Sequence, residues 1–176
     1  ADHLAGRLDA MDEDARRTAI ADMTGSKLFR AIQGGDIAYP PGKVDPAILT
    51  PGEMRRRNIA APVATISEDV AAGFGAKTKV VRFSVADAAK QRGKRVRKTG
   101  EQLLRPEDYR QIQAAIDAGD IHRDGDGDLV VLTQYRGKWW QAVLRRTATG
   151  EEIFLKSFRP LRDRQLEAIR DLPRLK

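Results

Sequence analysis

No cysteine occurs among the 176 residues. That excludes a disulfide framework, a thiolate zinc site and a cysteine nucleophile, and it fits folding in a reducing compartment or folding that does not depend on oxidation. Histidine is almost as scarce, with only His3 and His122. No apolar run approaches the roughly 20 residues that span a bilayer, so no membrane partner is expected. No signal peptide is visible, and the start at Ala1 reads as a trimmed end. The sequence contains no HExxH and no paired-carboxylate pattern. "GFGAKTK" has glycines near lysines without the spacing of a phosphate loop. Neither a metal nor any other cofactor is expected.

What the chain has is positive charge, unevenly placed. The formal net charge is +7, yet residues 1–60 hold nine basic and nine acidic residues. The whole excess lies in residues 61–176, with 23 basic against 16 acidic residues. A polyanion partner is therefore expected for the C-terminal part.

The first third reads as short helices. "DAMDEDARRTAIADM" spaces Met11, Ala15, Ala19 and Met23 on one side, with acids in its first turn. "SKLFRAIQGG" stops at Gly34 and Gly35, "AYPPGKVDPA" is a loop, and "TPGEMRRRN" restarts a helix with Thr50 as cap, Pro51 at the first position and Glu53 closing a capping box. These helices predict an arm over residues 1–58, before a domain over 59–176. In that domain "APVATIS" and "KVVRFSV" are strand candidates, "SEDVAAGFG" is a capped helical turn, and "SVADAAKQRG" is a helix begun by Ser84. "RPEDYRQIQAAIDAG" is a helix from Pro106 to Gly119. Strands are predicted over 129–135, 138–147 and 151–159, and "LRDRQLEAIRDL" is a last helix before Pro173. Helices followed by an antiparallel meander predict an α+β fold.

Turns set the register of the meander. The two-residue turn Arg136-Gly137 places Tyr135 opposite Lys138, and a three-residue "ATG" turn with Gly150 left-handed places Val143 opposite Leu155 and Gln141 opposite Ser157. Alternation then puts Leu129, Val131, Thr133, Tyr135, Trp140, Ala142, Leu144, Phe154 and Phe158 on a wall for helices, with Lys156 as the misfit. The other face receives Val130, Leu132, Gln134, Trp139, Gln141, Val143, Arg145, Ile153, Leu155, Ser157 and Arg159. Guanidiniums pair with phosphate and an indole offers a plane to a base. An RNA-binding face and a half-solvated face both fit this pattern.

"DLVVLTQYRGKWWQAVLRRTATGEEIFLKSFRP", preceded by "RPEDYRQIQAAIDAGDI", resembles the phage-borne branch of the barnase, EndoU, colicin and RelE nuclease superfamily over residues 59–160. The order of elements carries the resemblance: a helix with "EDY", a short strand at "DIH", a Trp-rich strand ending in a basic residue, and a strand running into "SFR". The segment "DEDARRTAIADMTGSKLFRAIQGGDI" with "LTPGEMRRR" resembles the end of phage Mu F-type minor head proteins. The resemblance implies a metal-independent endoribonuclease toxin domain attached to a head-associated polypeptide. It implies location in the virion with action in the bacterial cytoplasm, contacts of the N-terminal arm with head or portal proteins, and an acidic immunity protein as partner. Such enzymes use the RNA 2′-hydroxyl to form a 2′,3′-cyclic phosphate. By position, Arg145 and Arg159 would bind the phosphate and Ser157 would orient it, with Trp139, Gln141 and Gln134 contacting substrate. Where the family often places a histidine before the helix, "RKTGEQLLRPEDY" has none. That leaves open a lysine in the role, or a non-catalytic nucleic-acid-binding or virion-interaction module on the same fold.

Three other features bear on function. His122 in "DIHRD" suits acid–base work near neutral pH, or is a surface residue near a strand end. "DGDGD" fails as a calcium loop, because the sixth and twelfth positions from Asp124 are Leu129 and Tyr135. "KQRGKRVRK", with six basic residues in nine, is a salt-sensitive RNA grip through Lys94 and Lys98, or a solvated loop.

Overall fold

The computed structural model describes residues 3–24, 26, 29–30, 32, 60–98 and 104–176. The expected stop at Gly34–Gly35, the loop after it and the Thr50 capping box lie outside these. In chain order the elements are α1 (His3–Asp9), α2 (Glu13–Thr24), β1 (Ala60–Thr65), α3 (Glu68–Phe74), β2 (Val80–Ser84), α4 (Val85–Lys98), α5 (Pro106–Tyr109), α6 (Gln111–Ala118), β3 (Ile121–Arg123), β4 (Leu129–Tyr135), β5 (Lys138–Arg146), β6 (Ile153–Pro160) and α7 (Asp163–Arg170). The fold is α+β. Its strands form one sheet in the order β1-β2-β6-β5-β4-β3, antiparallel throughout except for a short parallel junction of β2 with β6 at Val81–Ile153 and Arg82–Phe154.

Local chemistry sets many of the boundaries. Ser67 caps α3 by accepting from the Val70 amide at 3.2 Å, and Gly75 ends that helix in the left-handed region. Ser84 caps α4 by accepting from the Asp87 amide at 3.1 Å. The helix does not stop at Gly93 but runs to Lys98, so the backbone of the basic run is helical rather than a loop. The expected single helix from Pro106 is two pieces meeting at Arg110, closed at Gly119 by a left-handed cap.

One face of the sheet carries the main core, where Phe83, Ile112, Ile121, Leu129, Leu144, Ile153, Leu155 and Phe158 are sealed from solvent. Each such side chain contributes roughly 1.5–3 kcal/mol of burial. Tyr109 joins Phe83 at 4.9 Å between ring centres, and Trp140 joins Phe158 at 4.9 Å. At the far edge α2 lies along β1: Arg16, 3% exposed, donates from Nε to Thr65 Oγ1 at 2.6 Å and from Nη1 to the Met11 carbonyl at 3.0 Å. The Gln113 amide completes that edge, accepting from Thr65 N–H at 2.8 Å and donating to its carbonyl at 3.0 Å. The opposite edge, β3, is lined by residues 173–176, whose backbone bonds Ile121 and Arg123.

The β4–β5 turn forms as expected, with Arg136 and Gly137 both at positive φ and Tyr135 opposite Lys138. The β5–β6 register does not. The loop holds four residues, not three, because Thr147 N–H donates to the Glu152 carbonyl at 2.9 Å and Thr147 Oγ1 accepts from Glu152 N–H at 3.2 Å. A bulge then follows: Leu144 faces Leu155, but Val143 faces Ser157, which leaves Lys156 as an extra residue. Gln141 therefore pairs with Arg159 instead of Ser157. Ile153 and Leu155 turn to the core, and Phe154, expected on the wall, turns to the polar face.

Two tests address this framework. Gly150 has φ +75°, and a Cβ there would collide with the Gly75 carbonyl oxygen. Gly150→Ala should cost about 3 kcal/mol and lower the Tm by roughly 6–12 °C; an unchanged Tm would show that the two loops are not packed this way. At the other turn, Tyr135 donates its hydroxyl to Asp108 Oδ1 at 2.5 Å, beside Arg136 Nη2 on the same oxygen at 2.5 Å. Burial first, and then this bond, raise the Tyr135 pKa above its ordinary value near 10. The folded state thus holds the proton more tightly than the unfolded chain, so this stabilisation is complete below about pH 10 and is lost as pH rises beyond it. Urea titrations across that range should show a shallower alkaline loss in Tyr135→Phe; parallel curves would remove Tyr135 as the cause.

Candidate functional site

The face opposite the main core is divided between two kinds of residue. Over β4 and part of β5 it is apolar and covered. Leu166 and Ile169 of α7, with Leu161 and Leu172, pack on Val130, Leu132, Trp139 and Val143. Trp139, expected to offer its ring to a base, lies under this helix with the Arg170 guanidinium 4.8 Å from its ring centre. The amphipathic helix at the chain's end needed an apolar surface, and these four residues supply it.

Beyond the cover, on β5 and β6, the face turns polar. Asp128 immediately precedes β4, next to the Leu129–Leu144 pair, and meets Arg145 through its side chain. Its carboxylate takes the guanidinium along one edge, with Oδ1 3.1 Å from Nε and Oδ2 2.9 Å from Nη2. Asp128 is 5% exposed, whereas the Arg145 side chain is 54% exposed. The bond and charge of Asp128, with smaller contributions from Asp126 and Asp124, raise the Arg145 pKa further, so it is cationic at every working pH. The "DGDGD" turn shapes this contact. Asp124 Oδ1 accepts from the Asp126 and Asp128 amides, both at 2.9 Å, and Gly127 takes φ +85°.

Arg159 is held in the same manner by a different group. It stands directly opposite Gln141, and the Gln141 amide, turned with its oxygen toward the guanidinium, accepts from Arg159 Nε at 2.8 Å and Nη2 at 3.1 Å. Both arginines are thus fixed along the Nε–Nη2 edge by the strand next door. In both, Nη1 bonds no described residue and the Nη1–Nη2 edge is free to meet a ligand. Between them lies the half-buried Ser157, whose hydroxyl bonds no other described residue. Arg145 and Gln141 lie four residues apart on β5, so the two guanidinium rows are about 13 Å apart along the strand.

The remaining candidates are elsewhere or engaged. His122 is 4% exposed, with Nδ1 3.2 Å from the Leu172 carbonyl oxygen and Nε2 2.8 Å from Asp120 Oδ1. It is a buried tie between β3 and the C-terminal segment, not a surface residue and not within reach of an entering substrate. Gln134 is exposed at the end of β4, beyond the α7 cover. Lys94 and Lys98 lie on α4, and their side chains are outside the described set. Lys156 reaches α4, its Nζ 2.7 Å from Asp87 Oδ1. Among the described residues no three of His, Asp and Glu converge as metal ligands, and no helix is long and apolar enough to cross a membrane. A cleft of about 430 Å³ lies between α2 and α6 at the β1 edge, lined by Arg17, Ile20, Val63, Gln113 and Asp117 among others, and none of the sequence-predicted residues enters it.

Sequence reasoning missed three participants: Asp128, the role of Gln141 as a clamp, and Phe154. Phe154 is half-buried and belongs to none of the apolar clusters.

No protein-family model matches the chain, and no curated protein or solved structure is similar to it.

The Arg145–Asp128 pair can be separated from its surroundings by a mutant cycle. Arg145→Met strands a buried carboxylate and should cost about 1–2 kcal/mol, and adding Asp128→Asn should recover most of it. Strictly additive losses in urea denaturation would mean that the two do not interact.

Proposed function

We propose that the chain is an RNA-binding domain of ribonuclease type, whose β5–β6 hairpin holds the phosphate backbone and cleaves it without a metal. What carries this reading is the pair of clamped guanidiniums on one open face, with the Ser157 hydroxyl, which has no partner among the described residues, between them. Two fixed cationic edges aimed at solvent suit phosphate oxygens better than any neutral ligand. The excess positive charge of residues 61–176 supports the same partner.

In the reaction, the RNA 2′-oxygen bonds to the adjacent phosphorus and the bond from phosphorus to the 5′-oxygen breaks. The 2′-hydroxyl proton leaves to a base and the departing 5′-oxygen gains one, giving a 2′,3′-cyclic phosphate and a 5′-hydroxyl. Arg159 stabilises the charge gathered on the phosphorane oxygens and Ser157 orients one of them, while Arg145, about 13 Å away along the strand, holds a neighbouring phosphate. On the same reading the domain belongs to a phage head-associated polypeptide carried in the virion and acting in the bacterial cytoplasm. An acidic immunity protein would then oppose the cationic face.

A second reading, a non-catalytic RNA-binding module, is favoured by one observation. His122 is buried and Asp128 is engaged by Arg145, so on the described part of the face neither is a free proton acceptor. Incubation with total tRNA in excess chelator decides between the two. The nuclease predicts discrete fragments ending in cyclic phosphate, abolished in Ser157→Ala/Arg159→Ala. Salt-sensitive binding without cleavage establishes the module instead, and neither binding nor cleavage retires both.

A further inference from the structure

We propose that Phe154 is a base-stacking residue and that the site takes single-stranded RNA, an inference resting on the RNA reading above. Three observations converge on it. The bulge at Lys156 reverses the alternation of β6, so that Phe154, opposite Arg145 in the β5–β6 ladder, shares the polar face with Arg145, Ser157 and Arg159. Its neighbour across the parallel junction is Arg82, 8% exposed and paired through Nη1 with Glu152 at 3.4 Å. Phe154 itself belongs to none of the apolar clusters, and its ring contacts no other described aromatic ring, whereas Phe29, Phe83 and Phe158 all do.

A phenyl ring left part-open among cations is poorly placed for stability, since its burial is incomplete and α7 covers the other half of the face. It is well placed for a base. Sequence-tolerant binding of single strands joins a cationic track to aromatic planes on which bases stack. The two clamped guanidiniums are rows about 13 Å apart along the strand direction. Arg145 leans toward β4 and Arg159 toward β5, each held by its partner there. They therefore meet different phosphates of one extended chain, while Phe154 takes a base beside the Arg145 phosphate. A duplex presents its phosphates but keeps its bases paired and stacked, so it would use the arginines and leave Phe154 idle.

The test is fluorescence anisotropy with a labelled single-stranded RNA oligomer and with its duplex, using wild type, Phe154→Leu, Phe154→Trp and Arg159→Ala. Circular dichroism and melting would establish that each variant is folded. Phe154→Leu should weaken single-strand binding about tenfold and leave duplex binding unchanged, and Phe154→Trp should restore or exceed the wild-type affinity. Arg159→Ala should weaken both and flatten the salt dependence. If Phe154→Leu binds single strands as well as wild type, or weakens strand and duplex equally, while Arg159→Ala still loses both, the stacking role is overturned and RNA binding by the hairpin survives. If Arg159→Ala changes neither, or wild type binds neither, the hairpin reading itself is refuted.

Discussion

Between the Leu144–Leu155 and Val143–Ser157 pairs, β6 contains one residue more than β5, and the polar face depends on where that residue goes. Lys156 reaches to the helix side, where Asp87 waits 2.7 Å away, 2% exposed and also accepting from the Ser84 hydroxyl at 2.9 Å. A buried carboxylate without its cation would be strongly destabilising, so the ion pair fixes the bulge in place. Ile153 and Leu155 can then point into the core on one side of the bulge and Phe158 on the other. Phe154, Ser157 and Arg159 are turned outward by the same constraint. Shifting the extra residue by one position would turn the Lys156 ammonium or the Ser157 hydroxyl toward the main core.

The bulge also lies in the strand that joins the two halves of the sheet. β6 pairs with β5 along most of its length and with β2 through only two residue pairs. Tight fixing of β6 is needed for the β1–β2 half to hold its place, and the two glycines at Gly75 and Gly150 add to it. The Lys77 amide donates to the Gly150 carbonyl at 2.7 Å, and the Arg146 Nε donates to the Phe74 carbonyl at 2.7 Å. The polar hairpin is therefore built on a rigid support, which suits a site that must hold arginines in fixed directions.

Caps and short turns were legible in the sequence because their chemistry is local. Ser67, Gly75, Ser84, Gly119 and the Arg136-Gly137 turn act through neighbours within a few residues. The register of β6 was not, although a sign of it was present. In "IFLKSF" the inward residues Leu155 and Phe158 are three apart, a spacing that strict alternation cannot give. The cover over Trp139 was illegible for a different reason. Both faces of β4 carry Leu and Val, and only the tertiary structure shows which apolar face α7 takes. His122 suggests acid–base chemistry by residue type, but its burial depends on a tail some fifty residues later in the chain. The Asp128 clamp comes from a turn residue just outside β4, which strand alternation does not place.

The two arginine clamps share a geometry and differ in charge, and the difference sets a gradient across the face. Asp128 cancels much of the Arg145 charge, and Asp124 and Asp126 add to the negative side. Gln141 holds Arg159 along the same edge through a neutral oxygen, so that guanidinium keeps its full field. A polyanion approaching from solvent is drawn first to Arg159, which pairs with no carboxylate among the described residues. At Arg145 the net attraction is weaker, but the guanidinium is held more firmly, since its acceptor is an ionised carboxylate rather than a neutral amide. One end of the face is thus suited to capture and the other to orientation, and Ser157 lies at the point where the two meet.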